Sequence, residues 1–409
     1  MELLYLYILF YLLFILFTKN KSKKVIFLCT LTMYLSSSIA SVYIYDIMYK
    51  GYPIILEAIV FHIVMLFLLL FPLQGYDKYK YIKIPREDDK KLKIFSIIII
   101  SLCLFKMYFD IQNVNLNILL TDVQSLRNAL VENTFRESNI IVRYLNFFAD
   151  QYWGVALVLA FYYMRYYPHK KRLITLLLIS SLGVIVSGLR VGAREYFIKY
   201  IYLFLILTYW YSSTIAAQWG KIIRRLFIVI GCCFVSFFLL ITILRFGENS
   251  TYDSPIESLL SYLGQGYIHF SSYFIEFQDG VTGGALKFPV FVGKSVSNFN
   301  LSDEIYSKAT LNAFSTTIGS WVFDVGIIIT VIITILHNFI FRRIAKKKAS
   351  IFNLIYIIWI YDFIFSCMFF YNETINGSRI LSILLIVFFE RISFNSSNKN
   401  SKRSQMTSC

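Results

Sequence analysis

Two arginines four residues apart, Arg190 and Arg194, interrupt a run of apolar residues in the segment "SGLRVGAREY". On a continuous helix, side chains at this spacing project from the same face, so both guanidinium groups would point at one target. Neighbouring cations repel each other unless an anion or a carboxylate lies between them. Because a guanidinium group binds phosphate or carboxylate through two parallel hydrogen bonds, the pair predicts an anion site. A salt bridge to Glu195 or to a loop carboxylate is the structural alternative.

A second segment, residues 254–277, interleaves aromatic and polar residues in "SPIESLLSYLGQGYIHFSSYFIEF". Aromatic faces stack on sugar rings, and an amphipathic helix resting on a membrane surface is the alternative interpretation. A sugar hydroxyl needs a nearby base to react. The sequence does not choose among the carboxylates that could act as that base, which are Asp253, Asp279, Asp303, Glu304 and Asp324. For Asp324 the competing role is a carboxylate cap at the start of a helix.

The composition predicts that these residues are positioned by membrane helices. Of the 409 residues, 57% are hydrophobic and 18% aromatic, and the mean hydropathy is +0.62. A helical span needs roughly 20 mainly apolar residues to cross about 30 Å of hydrocarbon, and the long apolar runs favour helices over a barrel. We therefore expect an all-α, polytopic membrane protein with about eleven spans. These lie near residues 3–17, 25–47, 54–73, 94–109, 140–164, 173–188, 196–211, 226–244, 320–341, 351–370 and 380–389.

The connecting segments alternate in charge and predict the topology. Six of them hold 27 of the 40 Lys and Arg residues, including residues 77–93, 165–172 and 342–348. By the positive-inside rule these segments are cytoplasmic, which places the N-terminus outside and the C-terminus inside. The net charge of +16 therefore reflects topology, and no nucleic-acid partner is expected.

The outer face carries the segments expected to hold the functional site. Residues 1–394 are predicted to form one membrane domain with long outer loops at about 110–139 and 245–319, followed by a disordered cytoplasmic tail at 395–409. Positive charge is disfavoured on this face, yet seven arginines fall there. They are Arg127, Arg136, Arg143, Arg190, Arg194, Arg245 and Arg379.

Cysteines and histidines give no sign of a metal site. The six cysteines fall mainly within spans and show no paired spacing in the outer loops, so neither a disulfide framework nor a metal or other cofactor is expected. His62 and His337 lie within spans and favour buried structural roles.

Two stretches carry a resemblance to a known family. The stretch "VSGLRVGAREYFIKYIYLFLIL" is followed, after a long outer segment, by "ATLNAFSTTIGSWVFDVGIIITVIIT". Together they resemble the bacterial O-antigen and capsule repeat-unit polymerases, the Wzy family, in which an arginine-bearing turn and an aromatic-Asp-aromatic-Gly helix start recur. Here Phe323, Asp324, Val325 and Gly326 occupy the second pattern, with valine where an aromatic residue is common.

The resemblance implies a metal-independent glycosyltransferase in the bacterial inner membrane. Such an enzyme transfers the growing surface polysaccharide, a lipopolysaccharide O-antigen or a capsule, from undecaprenyl pyrophosphate to the next lipid-linked repeat unit on the outer face. Arg190 and Arg194 on the family-like turn would bind the pyrophosphate. Arg245 and Arg379 are expected to join them because they lie at outer helix ends. For the base that activates the acceptor hydroxyl, His269 and Asp324 rank first. The implied partners are the undecaprenyl-pyrophosphate-linked oligosaccharide, membrane lipid, a chain-length regulator and a flippase.

Two other functions stay open at this point. An O-antigen ligase shares the donor, the fold type and the outer arginines, and differs chiefly in its acceptor. A flippase for lipid-linked oligosaccharides is a transporter, for which internal repeats and charges lining a central cavity are expected. The sequence shows no such repeat, and intramembrane charge is confined mainly to Lys106, Lys199 and Asp362. The order of preference is therefore polymerase, ligase, flippase.

Overall fold

The computed structural model describes residues 1–80, 84, 86, 89–114, 149–190, 195–244, 254–285, 316–368, 382–388 and 390–391. Within these ranges the backbone is helical with short turns and contains no strand, which confirms the all-α class. We number the principal helices α1 Tyr5–Phe17, α2 Val25–Met48, α3 Leu56–Leu70, α4 Asp89–Gln112, α5 Trp153–Tyr166, α6 Lys171–Ser181, α7 Gly183–Arg190, α8 Glu195–Tyr211, α9 Ala217–Leu244, α10 Pro255–Phe277, α11 Thr316–Lys346 and α12 Ile351–Ser366.

Among the described residues, five segments are long and apolar enough to cross a membrane. They are Val25–Met48, Leu56–Gly75, Asp89–Gln112, Lys171–Arg190 and Thr316–Lys346. Two shorter apolar helices, Glu2–Phe17 and Ile351–Ser366, accompany them. The expectation of long apolar helices is confirmed, whereas the total of eleven spans and their orientation stay predictions.

The chain divides into two compact units. The first comprises Met1–Tyr81, Thr242–Lys347 and Ile360–Asn376, and the second comprises Ile82–Ile241, Lys348–Trp359 and Gly377–Cys409. Each unit is assembled from segments far apart in the sequence. The expectation of a single membrane domain over residues 1–394 stays a prediction.

In the first unit, α10 lies against α2. The two backbones approach closely at Gly264, where an added Cβ would lie 2.4 Å from the backbone nitrogen of Ser41. Ser37 Oγ donates to the carbonyl of Leu263 at 2.5 Å, and Ser254 caps the start of α10 by accepting from the Glu257 amide at 3.2 Å. Residues 254–277, expected within a long outer loop, are thus a helix docked along a candidate span.

The same unit contains a buried polar network that includes Tyr267 of α10. His62 on α3 bonds the Tyr7 hydroxyl through Nδ1 at 2.9 Å and the Thr316 hydroxyl through Nε2 at 3.0 Å. The hydroxyls of Tyr11 and Tyr267 lie 3.0 Å apart. Because buried polar groups need partners, this network ties α1, α3, α10 and α11 together.

In the second unit, α5 is the central helix. Its residues from Val155 to Met164 are almost completely buried, which is the pattern of a helix surrounded on all sides. Helices α4, α6 and α8 pack around it, and α7 packs against α4. The Trp359 indole donates to the carbonyl of Gln151 at 3.0 Å and ties the start of α12 to this core.

The predicted span at residues 173–188 is interrupted near Leu182, where α6 ends and α7 begins. The described part of α7 runs from Gly183 to Arg190, and the next described helix, α8, runs from Glu195 to Tyr211. The residues between them, 191–194, lie outside the described ranges.

Candidate functional site

A buried carboxylate organises a charged cluster in the second unit. Asp110, near the C-terminal end of α4, is completely buried. Its Oδ2 accepts a hydrogen bond from Lys106 Nζ at 2.5 Å and another from Ser187 Oγ. Lys106 also donates to Ser187 Oγ at 3.3 Å. Because Lys106 and Asp110 are four residues apart on one helix, the pair forms within α4, and Ser187 links it to α7.

Arg190 occupies the last position of α7 and completes the cluster. Its Nε lies 3.3 Å from Asp110 Oδ1, within ion-pair distance. The two atoms are not aligned for a hydrogen bond, and each is buried with no hydrogen-bond partner among the described residues. The side chain of Arg190 is 15% exposed. Arg190 is therefore attracted to Asp110 but retains an unused donor.

A pocket opens beside this cluster. The space at this pocket, which includes open solvent, amounts to about 210 Å³, and its lining includes Lys106, Asp150, Trp153 and Ser187. Cationic, acidic, hydroxyl and aromatic groups thus meet on one small cavity.

A second ion pair lies at the start of α8. Lys199 Nζ is 2.5 Å from Glu195 Oε1, and both side chains are mostly buried. Glu195, which the sequence offered as a partner for the arginine pair, is thus bonded to Lys199. The structure instead pairs Arg190 with Asp110. Arg190 therefore forms a salt bridge to a carboxylate, which was the structural alternative to an anion site.

His269 lies in the first unit, on α10, and is 6% exposed. Its ring stacks on Tyr273, with 5.7 Å between centroids, and meets Tyr49 and Tyr52 edge-on at 5.2 and 5.7 Å. Burial lowers the pKa of His269 to about 4, so the imidazole is neutral at neutral pH. Its Nδ1 is buried and has no hydrogen-bond partner within the described ranges.

Asp324 is completely buried in the first unit and holds a turn in place. Its carboxylate accepts hydrogen bonds from the Thr282 hydroxyl and from the Gly284 amide, the latter at 3.2 Å. Its backbone carbonyl accepts from the amides of residues 281–283. Asp324 lies two residues before a break in α11 at Gly326, and its alternative role as a cap for the helix segment that follows the break stays a prediction.

No family model, curated protein or solved structure matches this chain. Evidence for the site therefore comes from the chain's own residues. Of the six residues expected to act, Arg190, His269 and Asp324 lie in the described part of the chain, the first in one unit and the other two in the other unit. Arg194, Arg245 and Arg379 lie outside it, so the shared helix face of Arg190 and Arg194 stays a prediction.

The described ranges contain no group of three or more His, Cys, Asp and Glu side chains that could hold a metal ion. Lys106 stands out in the sequence as a charge within a span, but its partners Asp110 and Ser187 do not. A charge inside an apolar helix is the signal that could have led to them, because an intramembrane lysine needs a counter-ion, and Asp110 is the acid one helical turn away.

Proposed function

We propose that this chain is a membrane-embedded glycosyltransferase that polymerises a surface polysaccharide from repeat units linked to undecaprenyl pyrophosphate. The proposed reaction takes place at the outer face of a bacterial inner membrane. The growing glycan moves from its pyrophosphate carrier to a hydroxyl group of the next lipid-linked unit. The five candidate spans and the resemblance of the stretches around Arg190 and Asp324 support this assignment.

The observation that carries the proposal is that Arg190 Nε is buried and has no hydrogen-bond partner among the described residues. This Nε is oriented towards Asp110 without bonding it, and Lys106 and Ser187, which bond the same carboxylate, line the pocket. A guanidinium group is costly to leave without hydrogen bonds in a low-dielectric site, and a phosphate group would supply them in the required planar geometry. An incoming anion can therefore replace Asp110 as the partner of Arg190.

The remaining members of the cluster make this exchange feasible. When Arg190 turns to a ligand, Asp110 stays neutralised because Lys106 and Ser187 still bond its Oδ2. In glycan transfer the bond between the sugar and the pyrophosphate breaks, and negative charge accumulates on the departing group. A guanidinium group already directed at that position lowers the barrier without a metal ion. In the proposed mechanism Arg194, Arg245 and Arg379 assist in binding the pyrophosphate.

The two candidate bases differ in their surroundings. Asp324 uses its carboxylate to bond Thr282 and Gly284, which favours a structural role. His269 is neutral at neutral pH and has a ring nitrogen with no partner in the described part of the chain, so it can accept a hydrogen bond from an acceptor hydroxyl. Its pKa of about 4 makes it a weak base in this site. We therefore assign the base to His269 ahead of Asp324.

A deletion strain tests the proposed reaction. Loss of polymerisation leaves single repeat units attached to the cell surface, so a gel of the polysaccharide loses its ladder. Polymer that accumulates on the carrier without attachment would instead identify a ligase, and units trapped on the cytoplasmic side would identify a flippase. Either of these two results would overturn the polymerase assignment.

Variants of the cluster test the role of Arg190 in the complemented strain and in purified protein. Arg190→Ala should abolish the ladder at unchanged protein abundance, and Arg190→Lys should rescue poorly because an ammonium group lacks the planar fork. Asp110→Asn should raise the affinity for undecaprenyl pyrophosphate, since it removes the competing carboxylate. Arg172→Ala, an exposed arginine on α6 of the same unit, is the matched control and should behave as wild type. Normal ladders from Arg190→Ala would remove this residue from the mechanism.

A further inference from the structure

A stripe of polar and aromatic side chains runs along one face of α10 in the first unit. Ser261, Gln265, His269 and Tyr273 follow each other at four-residue intervals, which places them on one side of the helix. Ser261, Gln265 and His269 are at most 7% exposed, whereas Tyr273 is half-buried. We call these four residues the α10 stripe.

The turn between α2 and α3 covers this stripe with two more tyrosines. The Tyr49 hydroxyl lies 3.3 Å from Ser261 Oγ and 3.5 Å from Gln265 Oε1, and the Tyr49 ring meets His269 edge-on. The Tyr52 ring meets His269 at 5.7 Å and Tyr273 at 6.4 Å between centroids, edge-on in both cases. Both tyrosines are half-buried, so their rings are reachable from outside.

Bonds on both sides of the turn hold these rings in place before any ligand arrives. The Tyr52 amide donates to the Tyr49 carbonyl at 2.9 Å, and the Tyr45 hydroxyl donates to the Tyr52 carbonyl at 3.0 Å. The Ile55 amide donates to Ser271 Oγ on α10 at 2.7 Å. A ligand therefore meets groups that are already ordered, which lowers the entropic cost of binding.

The turn lies at an end of the membrane-spanning part of the unit. It joins Val25–Met48 to Leu56–Gly75, two of the candidate spans, so residues 49–55 reach the aqueous boundary. The lysines at positions 19–24 precede the first of these spans, and the positive-inside rule then places the turn on the outer face.

From this arrangement we infer that Tyr49, Tyr52 and the α10 stripe form a carbohydrate-binding site. Sugars present hydroxyl groups around an apolar ring face, and aromatic rings next to hydrogen-bonding side chains match both features. The strongest indication is His269 Nδ1, a polar atom that is buried and has no partner among the described residues. Such atoms are rare, and a sugar hydroxyl at this position would satisfy it. The inference depends on the first unit alone and stands whether or not Arg190 binds pyrophosphate.

Binding of carbohydrate to the purified full-length chain in nanodiscs tests the inference. The probes are a panel of neutral and acidic oligosaccharides, including those released by mild acid from the source strain's own surface polysaccharide. We expect the wild type to bind at least one of them. Tyr52→Ala and His269→Ala should each lower that affinity at least tenfold, and Tyr52→Phe should retain it because the ring remains.

Tyr43→Ala is the matched control, because Tyr43 is a tyrosine of α2 that is 52% exposed and lies outside the α10 stripe. It should bind as tightly as the wild type. The melting temperature of each variant in nanodiscs separates lost binding from lost folding. Because Tyr52 is half-buried, its substitution should disturb the packing less than substitution of the buried His269. Failure of the wild type to bind any probe would overturn the inference. Wild-type affinity in a folded Tyr52→Ala variant would also overturn the inference.

Discussion

Gly280 and Gly326 lie with their backbones in direct contact. A Cβ on Gly280 would lie 2.6 Å from the Gly326 nitrogen, and a Cβ on Gly326 would lie 2.9 Å from the carbonyl carbon of Asp279. Gly326 adopts φ 81° and ψ 172°, a region that residues with a Cβ avoid. The Ile327 amide donates to the Gln278 carbonyl at 2.9 Å, so the break in α11 is filled by the turn that follows α10.

Alanine at either glycine should destabilise the first unit. At Gly326 the backbone strain alone is about 1–3 kcal/mol, and the contact with Asp279 adds to it. Thermal unfolding in detergent should show a lower melting temperature for Gly326→Ala and for Gly280→Ala. Gly51→Ala is the control, because an added Cβ there meets nothing within 4 Å. If the two variants had the same melting temperature as the control, the break in α11 would not be a fixed feature of the fold.

Substitutions around Asp324 separate a structural carboxylate from a catalytic base. Asp324→Ala leaves Thr282 and the Gly284 amide without their acceptor, at about 1–3 kcal/mol for each buried group. Thr282→Val removes the donor from the other side. Both should lower the melting temperature, and Asp324→Asn, which keeps an acceptor oxygen, should lower it less. A base would give a different pattern, in which all Asp324 variants lose polymer at normal stability and Thr282→Val retains activity.

The sequence predicts the helices of this chain better than it predicts their partners. The apolar runs that indicated spans at 25–47 and 54–73 correspond closely to α2 and α3, because hydropathy is a local property. Residues 254–277 were equally visible as an amphipathic segment. Their docking on α2 depends on Gly264 meeting Ser41, more than two hundred residues away, and no local pattern encodes that contact.

The candidate site follows the same division. The charge of Arg190 and the aromatic spacing around His269 are visible in the sequence, because residue type and spacing are local properties. Asp110 and Arg190 are eighty positions apart, and Tyr52 and His269 are more than two hundred apart, so only the fold brings each pair together. The pattern at residues 323–326 predicted a helix start. In the structure the non-helical Gly326 divides α11 there, and a helical segment follows it.

Acid should weaken the packing around His269. The pKa of this residue is about 4 in the folded chain, below the ordinary value of 6.5, so protons bind more readily to the unfolded chain. Its contribution to stability is complete above pH 6.5, falls as the pH drops towards 4, and then levels off. His269→Gln should remove part of the decrease in melting temperature between pH 7 and pH 5. His169→Gln, at an exposed histidine, should keep the wild-type profile, and identical profiles for all three proteins would contradict the burial of His269.

Orientation in the membrane decides between an outer-face enzyme and any cytoplasmic activity. In a variant without the six native cysteines, Gly51→Cys should react with a membrane-impermeant maleimide on intact cells, because the α2–α3 turn is expected outside. Lys21→Cys, exposed at the opposite end of α2, should react only after the cells are opened. The reverse pattern would place Tyr49 and Tyr52 in the cytosol, where exported lipid-linked sugars are absent. Both the polymerase proposal and the location assigned to the carbohydrate site would then fail. Arg190 would still lie beside Asp110, but the ligand proposed for it would have to be a different anion.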